Sequence, residues 1–336
     1  MRFCEINDIA SVASELAGGL RARGHEVTVI RPRLFGGGLP WMVKPVVGPV
    51  RAVEWAMMLR TVERGDFDMV HIHYAYLGML GVLGRFPYIL HCHGSDVREM
   101  NPFTRPMVER ALAAADRVFY ATPDLARYVR SRRPDALFLP NPVDATQFRP
   151  LAPVEASARV FICCSLTEIK GAARIVQACR MLAKERPDIQ VTAYDGGEFA
   201  PAMGALPNVT LIQPQPRAAL PGIIGRHGLV VGQVLLGALG MAELEAMACG
   251  RPVIAWSRFG SFYGESPPVV RALDGRDVAT AIARLIDDPP LRARLGAESR
   301  SWVDTYHRLD SAGIAVETAA LDILAQRTGR PLAAAG

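Results

Sequence analysis

The stretch Gly232–Trp256, GQVLLGALGMAELEAMACGRPVIAW, constrains the fold more than any other part of the chain. The apolar triplet Leu229–Val231 precedes it and predicts a short buried strand. From Met241 onward, apolar residues recur at helical spacing as far as Gly250, which stands where a C-terminal cap glycine belongs. The apolar run Val253–Trp256 then predicts the next buried strand. This order of strand, loop, helix and strand is typical of an open α/β domain.

The start of this helix has the chemistry of an anion site. A loop that contains glycine leads into it, so the backbone N–H groups of Gly240, Met241 and Ala242 and the positive end of the helix dipole favour a phosphate. Glu245 lies just over one turn further on, and its carboxylate would repel a phosphate placed beside it. Because two carboxylate oxygens can accept hydrogen bonds from adjacent hydroxyls, Glu245 is predicted to bind a ribose diol. The stretch as a whole therefore predicts a nucleoside diphosphate site.

The segment GALGMAELEAMACGRPVIA resembles, in one register, the signature of the retaining glycosyltransferase family 4. In that family, the second of two signature glutamates holds the nucleotide ribose, and it falls on Glu245. The first contacts hydroxyls of the donor sugar, and it falls on Gly237, which has no side chain. Gln233 is the candidate to replace some of the missing hydrogen bonds. An ordinary loop, helix and strand of an α/β domain is the alternative interpretation.

The resemblance implies an α/β fold of the glycosyltransferase-B type, with two facing doubly wound, Rossmann-like domains. The chain length of 336 residues agrees, because about 100–200 residues per domain predicts two domains. We expect residues 1–150 to form an N-terminal acceptor-side domain and residues 151–310 a C-terminal domain that binds the nucleotide sugar. Residues 311–336 are expected to form a C-terminal helix that returns to the N-terminal domain.

Strands and helices are predicted to alternate along both halves of the chain. The predicted strands are Arg2–Ile6, Glu26–Ile30, Asp68–His73, Tyr88–Cys92, Arg117–Ala121, Leu137–Pro140, Arg159–Cys163, Gln190–Tyr194 and Val209–Gln213, together with the two described above. Helices are predicted over Ala10–Arg23 and Gly171–Lys184, and the last one from near Asp310 to Gln326. The second half thus repeats the scheme of the first.

Composition argues against several other classes of protein. The net charge of +5 is too small to indicate nucleic-acid binding by itself. The six cysteines are scattered and include the adjacent pair Cys163 and Cys164 in an apolar run, which predicts buried free thiols in a reducing compartment. No apolar run reaches the roughly 18 residues of a transmembrane helix, and Met1–Phe3 leads directly into a strand pattern without a signal peptide. We therefore expect a cytoplasmic protein.

The segment Leu34–Met58 is rich in glycine, proline and large apolar residues, and it includes Trp41, Lys44 and Arg51. Large apolar side chains beside cations are typical of an acceptor groove or of a surface that rests on a membrane. A loop packed on its own domain explains the same composition. Peripheral contact with the inner face of a membrane is compatible with the sequence, and the acceptor is left open among a small molecule, a glycan and a lipid-linked molecule.

Ligands of doubly wound folds bind at the carboxyl ends of the strands, where several polar residues of the first half fall. Asn7 and Asp8 follow the first strand, where the resembled family usually has two glycines that approach the donor phosphate or the acceptor. Both are candidate substrate contacts, although Asp8 could equally cap the next helix.

His93 matches the family's His-Gly, whose histidine lies beside the donor sugar. There it could donate a hydrogen bond to a hydroxyl or to a developing charge. A structural histidine is the alternative interpretation. Asp96 is a candidate substrate contact or, with Ser95, a helix cap.

The histidines of the first half raise the question of a metal. His71 and His73 would lie on one face of their strand, because side chains alternate along a strand. However, no carboxylate or cysteine completes a recognisable ligand spacing. Asp66 and Asp68 in the pattern DFDMVHIH are more simply the entry to a buried strand than a metal-binding Asp-x-Asp. We predict no metal, and no cofactor beyond the nucleotide-sugar substrate.

Lys170 precedes a helix in the sequence TEIKG and resembles the family's Lys-Gly, whose lysine neutralises the donor diphosphate. A lysine suits this task because its ammonium is a compact point charge. Ser165 stands where the family often has an arginine, so one phosphate contact is missing. The resemblance implies that Lys170, with the N–H groups of the helix start, stabilises the leaving group while His93 acts near the sugar.

No covalent nucleophile and no Ser-His-Asp arrangement stands out. This agrees with a retaining family in which the leaving diphosphate is thought to help deprotonate the acceptor, so the predicted function is metal-independent retaining transfer from a nucleotide-diphosphate sugar. Gly237 and Ser165 keep open a catalytically silent protein that binds sugar nucleotides. A sugar-nucleotide epimerase of the same fold would need paired carboxylates or histidines for proton transfer, which the motifs do not clearly supply. A dehydrogenase is disfavoured because no Gly-x-Gly-x-x-Gly follows the first strand.

The glycine at position 237 has two explanations. Loss of the glutamate removes hydrogen bonds to sugar hydroxyls, which predicts broad donor tolerance or a donor sugar that lacks a hydroxyl. Alternatively, Gly237 is required for a positive backbone angle, and recognition is supplied elsewhere, for instance by Gln233.

Overall fold

The computed structural model describes residues 1–33, 44–151, 153 and 159–329 and divides the chain into two compact units. The first unit contains Met1–Pro142 and the chain from Leu309 onward, and the second contains Val143–Arg308. Each unit has its own parallel sheet and its own apolar core. The part of the glycine- and proline-rich segment from residue 34 to residue 43 lies outside the described residues.

Strands and helices alternate along both units. The strands are β1 Arg2–Ile6, β2 Glu26–Ile30, β3 Met69–His73, β4 Tyr88–Cys92, β5 Arg117–Tyr120, β6 Leu137–Phe138, β7 Val160–Ile162, β8 Val191–Tyr194, β9 Val209–Ile212, β10 Leu229–Val231, β11 Val253–Ala255 and β12 Val270–Arg271. The helices are α1 Val12–Ala22, α2 Gly48–Gly65, α3 Met79–Gly84, α4 Ser95–Arg98, α5 Thr104–Ala114, α6 Ala126–Val129, α7 Ala172–Glu185, α8 Ala200–Gly204, α9 Leu220–Gly225, α10 Met241–Ala248, α11 Gly275–Asp287, α12 Pro289–Tyr306 and α13 Leu309–Thr328.

The first unit is built on a sheet of parallel strands in the order β2-β1-β3-β4-β5-β6. Every residue of β3, MVHIH, and of β4, YILHC, is buried. This is expected because helices cover both faces of a parallel sheet, so its strands are enclosed on both sides. The strand order reverses between β1 and β3, and such a switch point is where doubly wound sheets bind ligands.

The sheet of the second unit has the order β12-β11-β10-β7-β8-β9, and its switch point lies between β7 and β10. The second half repeats the alternation of the first, as predicted, but not its strand order. The first sheet has the order of flavodoxin-like proteins, and the second that of dinucleotide-binding domains. β12 was not predicted, because two residues at a sheet edge are too few for a periodic signal. The predicted class, α/β with two Rossmann-like domains, is confirmed.

The six cysteines are buried and free, as predicted. Burial raises the pKa of the Cys164 thiol to about 12, because desolvation disfavours the thiolate. Such thiols behave as small apolar side chains and are poor nucleophiles. Within the described ranges, no helix is both long and apolar enough to cross a lipid bilayer.

The last helix, α13, belongs to the first unit and packs along α1. Glycines allow the two backbones to approach closely. Gly19 of α1 lies against the carbonyl group of Leu309, and a Cβ built on Gly313 would lie 3.1 Å from the carbonyl carbon of Gly19. An ion pair between Arg23 and the buried Glu317 joins the same helices. The close contact therefore depends on the absence of a side chain at these two positions.

Two neighbouring glycines of α1 test this packing. Alanine normally stabilises a helix interior relative to glycine by about 0.5–1 kcal/mol. At Gly18 a Cβ would meet nothing within 4 Å, so Gly18→Ala should raise the free energy of unfolding by that amount. At Gly19 a Cβ would overlap the Leu309 carbonyl, so Gly19→Ala should lower it by about 1–2 kcal/mol. Denaturant titration of both variants measures the difference, and equal stabilisation by the two would contradict the packing.

Candidate functional site

The structure brings Lys170 and Gln233 together at the switch point of the second sheet. Lys170 ends a short 3₁₀ turn that leads from β7 into α7, and Gln233 lies in the loop 232–240 that follows β10. The ammonium Nζ of Lys170 donates to Oε1 of Gln233 over 2.9 Å. Gly171, with φ +82°, turns the chain into α7, and a Cβ there would lie 2.7 Å from a methyl of Val234. A glycine is therefore needed to bring Lys170 this close to the loop.

Gln233 is only 2 % exposed, and its polar groups bond within the protein. Its side-chain NH₂ donates to the carbonyl of Ala238, and its backbone N–H donates to Oε1 of Glu243 over 2.8 Å. Its side-chain oxygen accepts from Lys170. As found, Gln233 holds Lys170 and the loop in place, whereas its predicted role as a replacement for the missing glutamate stays a prediction.

The start of α10 carries a buried carboxylate that the sequence analysis missed. Glu243, 2 % exposed, accepts the backbone N–H of Gly240 through Oε2 over 2.9 Å. Of the three N–H groups predicted to bind phosphate, that of Gly240 is thus bonded to a side chain of the same helix. Met241 and Ala242 follow in the first turn, where an α-helix supplies no backbone acceptor to its N–H groups. A glutamate three residues into a helix is a known capping signal and could have been recognised.

Glu245, the predicted ribose ligand, is paired with an arginine. Its Oε1 accepts from Nε of Arg217 over 2.9 Å, and the carboxylate is buried. The guanidinium of Arg217 in turn lies 4.7 Å above the ring of Phe148. A ribose diol would have to share this carboxylate with the guanidinium. Arg217 lies 28 residues before Glu245 in the sequence, so no local sequence pattern predicts that the two residues pair.

Gly237 has φ +78°, a conformation that side chains rarely adopt. A Cβ there would lie 3.0 Å from Cγ of Arg258 and 3.1 Å from the indole nitrogen of Trp256. The backbone therefore explains the glycine without any change in donor choice. The place where a glutamate side chain would begin is bordered by a guanidinium and an indole N–H.

Ser165, which replaces the expected arginine, is exposed. Another arginine reaches the loop 232–240 instead. Arg174, in the first turn of α7, donates through Nη1 to the carbonyl of Val234 over 2.8 Å. Arg174 is therefore a second cation near Lys170, and it was not predicted from the sequence.

In the first unit, Asn7 forms hydrogen bonds with backbone carbonyl groups. It has φ +74° and is buried. Its N–H donates to the carbonyl of Ile30 over 2.8 Å, and its side-chain NH₂ donates to the carbonyl of His73 over 3.1 Å. Asn7 thus joins the ends of β1, β2 and β3, and its predicted contact with substrate stays a prediction.

Asp8 accepts hydrogen bonds at the start of α1. Its carboxylate accepts from the backbone N–H of Ser14 over 3.0 Å, from the Ser14 hydroxyl over 2.6 Å and from Nε of Arg31 over 3.0 Å. Burial would raise the pKa of this carboxyl, but the Ser14 and Arg31 hydrogen bonds outweigh it and lower the pKa. These bonds support the capping interpretation, although Ser11 stands at the formal N-cap.

Asp96 organises the loop after β4. It is buried and accepts the backbone N–H groups of Ala75 over 2.8 Å, Gly94 over 2.6 Å and His93 over 3.1 Å. The structure therefore gives Asp96 a structural role in holding His93. Ser95, considered with it as a cap, instead shares a hydrogen bond of 2.8 Å with the hydroxyl of Tyr74.

His93 is half-buried and belongs to a cluster of four histidines that also contains His71, His73 and His91. No carboxylate was recognisable from the sequence spacing, but the structure places one beside these histidines. Glu5 of β1, fully buried, lies 3.1 Å from Nδ1 of His71 and 2.7 Å from Nε2 of His73. Parallel register explains this, because Glu5 pairs with His71, and His73 pairs with His91. The missed signal was a charged residue, Glu5, among the buried residues of a strand.

Burial affects the carboxylate of Glu5 and the rings of His73, His91 and His93 in different ways. Burial would raise the pKa of Glu5, but the attraction and hydrogen bonds of His71 and His73 lower it to about 2. Burial and the neighbouring histidines lower the pKa of His73, and they hold the pKa values of His91 and His93 well below the ordinary range. Near neutral pH, Glu5 is therefore ionised and His93 is a neutral imidazole.

Ring nitrogens of His71, His73 and His91 lie within 4.8 Å of one another, close enough to consider a metal ion. Both ring nitrogens of His73 are already hydrogen-bonded, Nε2 to Glu5 and Nδ1 to His93. Coordination by His73 would break one of these bonds. The arrangement therefore favours a hydrogen-bonded chain over a metal centre, and the absence of a metal stays a prediction.

The surface of α2 next to the glycine- and proline-rich segment carries an apolar stripe. Val50, Val53 and Met57 of α2 are exposed, at 49 %, 59 % and 56 %, and so is Val46, at 81 %, in the short 3₁₀ turn Lys44–Val47 that precedes the helix. Their spacing places them along one side of a helix. A stripe of this kind suits the predicted acceptor groove or membrane-resting surface, which stays a prediction.

Comparisons with known families agree with this arrangement. The model described as Glycosyltransferase Family 4 matches residues 9–147, and the model described as Glycosyl transferases group 1 matches residues 144–302. Together they span both parallel sheets apart from β1. The second match contains Lys170, Gln233 and Glu245.

Curated relatives match most of the chain. A GDP-mannose-dependent alpha-(1-6)-phosphatidylinositol monomannoside mannosyltransferase of Mycolicibacterium smegmatis is 27 % identical, over 84 % of this chain and 87 % of its own length. A D-inositol 3-phosphate glycosyltransferase of Arthrobacter sp. is 26 % identical, over 90 % of this chain and 87 % of its own length.

Solved structures share the fold. Sucrose-phosphate synthase from Thermosynechococcus elongatus superposes with a TM-score of 0.73 at 18 % identity, covering 97 % of this chain and 100 % of its own. HepE of Anabaena in complex with UDP-glucose superposes with a TM-score of 0.70 at 13 % identity, covering 98 % and 99 %. The two family models, which together match residues 9–302, show that the chain belongs to glycosyltransferase family 4, and the solved structures show its fold. The chain is thus a glycosyltransferase with the glycosyltransferase-B fold.

Proposed function

We propose that this glycosyltransferase transfers a sugar from a nucleotide-diphosphate donor to an acceptor hydroxyl, with retention of configuration and without an essential metal. The observation that carries the proposal is the position of Lys170, held by Gln233 beside the start of α10 at the switch point of the second sheet. A cation and a helix N-terminus at a switch point are the usual elements of a phosphate site.

In the proposed reaction, the bond between the anomeric carbon and the diphosphate oxygen breaks, and the acceptor oxygen bonds to the same face of that carbon. The acceptor proton passes to the departing diphosphate oxygen. Lys170 and the N–H groups of Met241 and Ala242 would stabilise the negative charge that develops on this oxygen. Catalysis would consist largely of positioning and charge stabilisation, because no covalent nucleophile is required.

Glu245 is proposed to bind the ribose diol while it stays paired with Arg217, since a carboxylate can accept from several donors at once. Arg174 is proposed to compensate for Ser165 as a second cation near the diphosphate. His93 is proposed to contact the sugar. Asn7, Asp8 and Asp96 are proposed to act by holding the loops rather than by contacting substrate directly.

The names of the relatives suggest which substrates to test. One is GDP-mannose-dependent and acts on a phosphatidylinositol mannoside, and others are D-inositol 3-phosphate glycosyltransferases. GDP-mannose, other nucleotide sugars, inositol phosphate and phosphatidylinositol mannosides therefore form the first panel. A lipid-linked acceptor would agree with the exposed apolar stripe of α2 and with peripheral contact at the inner face of the membrane.

A thermal-shift screen against nucleoside diphosphates, followed by turnover of the matching sugars, tests the function. Binding at a hundredfold excess over Kd stabilises the protein by about 2.7 kcal/mol. NMR of the product would then show whether the anomeric configuration is retained. Binding without transfer or hydrolysis would favour a silent sugar-nucleotide-binding protein, and conversion of the donor sugar into its epimer would favour an epimerase.

Substitution of Glu245 should weaken nucleotide binding. Glu245→Ala removes hydrogen bonds to the ribose and should cost about 1–3 kcal/mol of binding free energy for the nucleoside diphosphate selected by the screen. Calorimetric titration measures the change. Arg217→Lys is the matched control, because it changes the partner of Glu245 but keeps a cation beside the buried carboxylate; it should retain more affinity. Unchanged binding in Glu245→Ala, or an equal loss in both variants, would contradict the ribose assignment.

Removal of divalent cations should leave transfer essentially intact. Lys170 and the start of α10 supply the positive charge that a cation would otherwise provide. Activity is measured before and after treatment with EDTA, and again after addition of Mg²⁺ or Mn²⁺. Activity that disappears with the chelator and returns with either cation would show that this account of the phosphate site is wrong.

A further inference from the structure

Three side chains from three neighbouring parallel strands form a continuous hydrogen-bonded chain in the first unit. Oε2 of Glu5 lies 2.7 Å from Nε2 of His73, and Nδ1 of His73 lies 2.8 Å from Nε2 of His93. Glu5 and His73 are fully buried, whereas His93 is half-buried at the carboxyl end of β4. This series of hydrogen bonds therefore leads from the interior of the sheet to the edge where doubly wound folds bind ligands.

The protons in this chain can be placed by elimination. An ionised carboxylate only accepts hydrogen bonds, so Nε2 of His73 must carry a proton toward Glu5. A neutral imidazole has a single N–H, which leaves Nδ1 of His73 as an acceptor. Nε2 of His93 must then carry the proton that bridges the 2.8 Å to His73. Since His93 is also neutral, its Nδ1 is left with a lone pair.

The opposite arrangement would require His73 to carry protons on both nitrogens. Burial opposes that charge and lowers the pKa of His73, and the adjacent His71 lowers it further. A protonated Glu5 would also relax the assignment, but the low pKa of Glu5 excludes it near neutral pH. The neutral form of His73 and the ionised form of Glu5 therefore agree with the distances.

We propose that Glu5 is a positioning residue that acts through His73 to hold His93 in one tautomer, protonated on Nε2, with Nδ1 as the acceptor for a substrate hydroxyl. This inference rests on the proposed contact between His93 and the sugar. It reverses the expectation that His93 donates a hydrogen bond. A lone pair backed by the negative charge of Glu5 would also stabilise positive charge that develops on the sugar in the transition state.

Nitrogen-15 NMR of the histidine-labelled full-length protein at neutral pH reads these tautomers directly, with His93→Gln to assign the signal. We expect His73 and His93 each to be protonated on Nε2, with a scalar coupling across the hydrogen bond between them. A proton on Nδ1 of His93 would overturn the proposal. So would metal-bound shifts of His71, His73 and His91 after addition of one equivalent of Zn²⁺, because the cluster would then be a metal site.

Substitutions of Glu5 test whether it sets the tautomer. Glu5→Leu removes the acceptor and should abolish the coupling, and Glu5→Gln keeps the shape but removes the charge and should shift the His93 signals. His91→Leu is the matched control, since neither ring nitrogen of His91 has a hydrogen-bond partner among the described residues. It removes a ring that lies 4.4 Å from that of His93 and can shift its signals slightly, but it should leave His93 protonated on Nε2 and coupled to His73. If Glu5→Leu does not fold, Glu5→Gln decides. Unchanged His93 signals in the Glu5 variants would overturn the positioning role.

Steady-state kinetics, with a nucleotide sugar that the wild type turns over, test whether the orientation of His93 matters for catalysis. Glu5→Gln should lower kcat by at least about tenfold while the donor KM changes little, as for a carboxylate that orients a catalytic imidazole. His91→Leu should keep the kcat of the wild type. An unchanged kcat in Glu5→Gln would overturn this consequence. The NMR experiment needs no substrate, so it tests the tautomer even if the proposed transfer activity fails.

Discussion

Parallel pairing of neighbouring strands is the constraint on which both groups of candidate residues depend. Strands that run in one direction bring their carboxyl ends to one edge of the sheet, whatever their separation in sequence. In the second unit, β7 and β10 are neighbours, so Lys170 and Gln233 meet although they lie 63 residues apart. In the first unit, β1, β3 and β4 are neighbours, so Glu5 reaches His73 and, through it, His93.

Buried charges then decide how each group is held. An unpaired buried carboxylate is strongly destabilising, so each one must find donors. Glu243 is satisfied by the N–H groups of Gln233 and Gly240, and Glu245 by the guanidinium of Arg217. Glu5 is satisfied by imidazoles. The donors that stabilise these carboxylates are thereby fixed in position, and this fixes the loops that carry the candidate site residues.

Local sequence patterns predicted what local interactions determine. The bounds of β1, β2, β4 and β10 agree with the prediction at both ends, because apolar or alternating runs bounded by turns identify strands. The start of α10 was recognised from its glycines. The strand order could not be read, because it depends on which crossover each helix makes, and no local signal distinguishes the two orders.

The pairs that hold the candidate site were missed for the same reason. Glu5 and His73 belong to different strands, and their meeting follows from the sheet order. Arg217 lies in the turn after β9 and Glu245 in α10, so their meeting depends on how that turn packs, which no local pattern indicates. Gly237 shows a different limit. Its sequence allows both a lost sugar contact and a required positive φ. The value of +78° shows the backbone requirement, which lies in the main chain and not in a side-chain pattern, and relaxed donor choice stays a prediction.

The electrostatics of the helix start explain why Lys170 has to be held so firmly. The N-terminal end of a helix contributes about half a positive charge, but the buried carboxyl group of Glu243 lies in the same first turn and takes up the N–H of Gly240. The backbone alone would therefore attract a diphosphate weakly. Lys170, fixed by Gln233, and Arg174, bonded to the same loop, supply the excess positive charge. The proposed phosphate site would therefore depend on side-chain cations more than on the helix dipole, and the hydrogen bond between Lys170 and Gln233 would be its central contact.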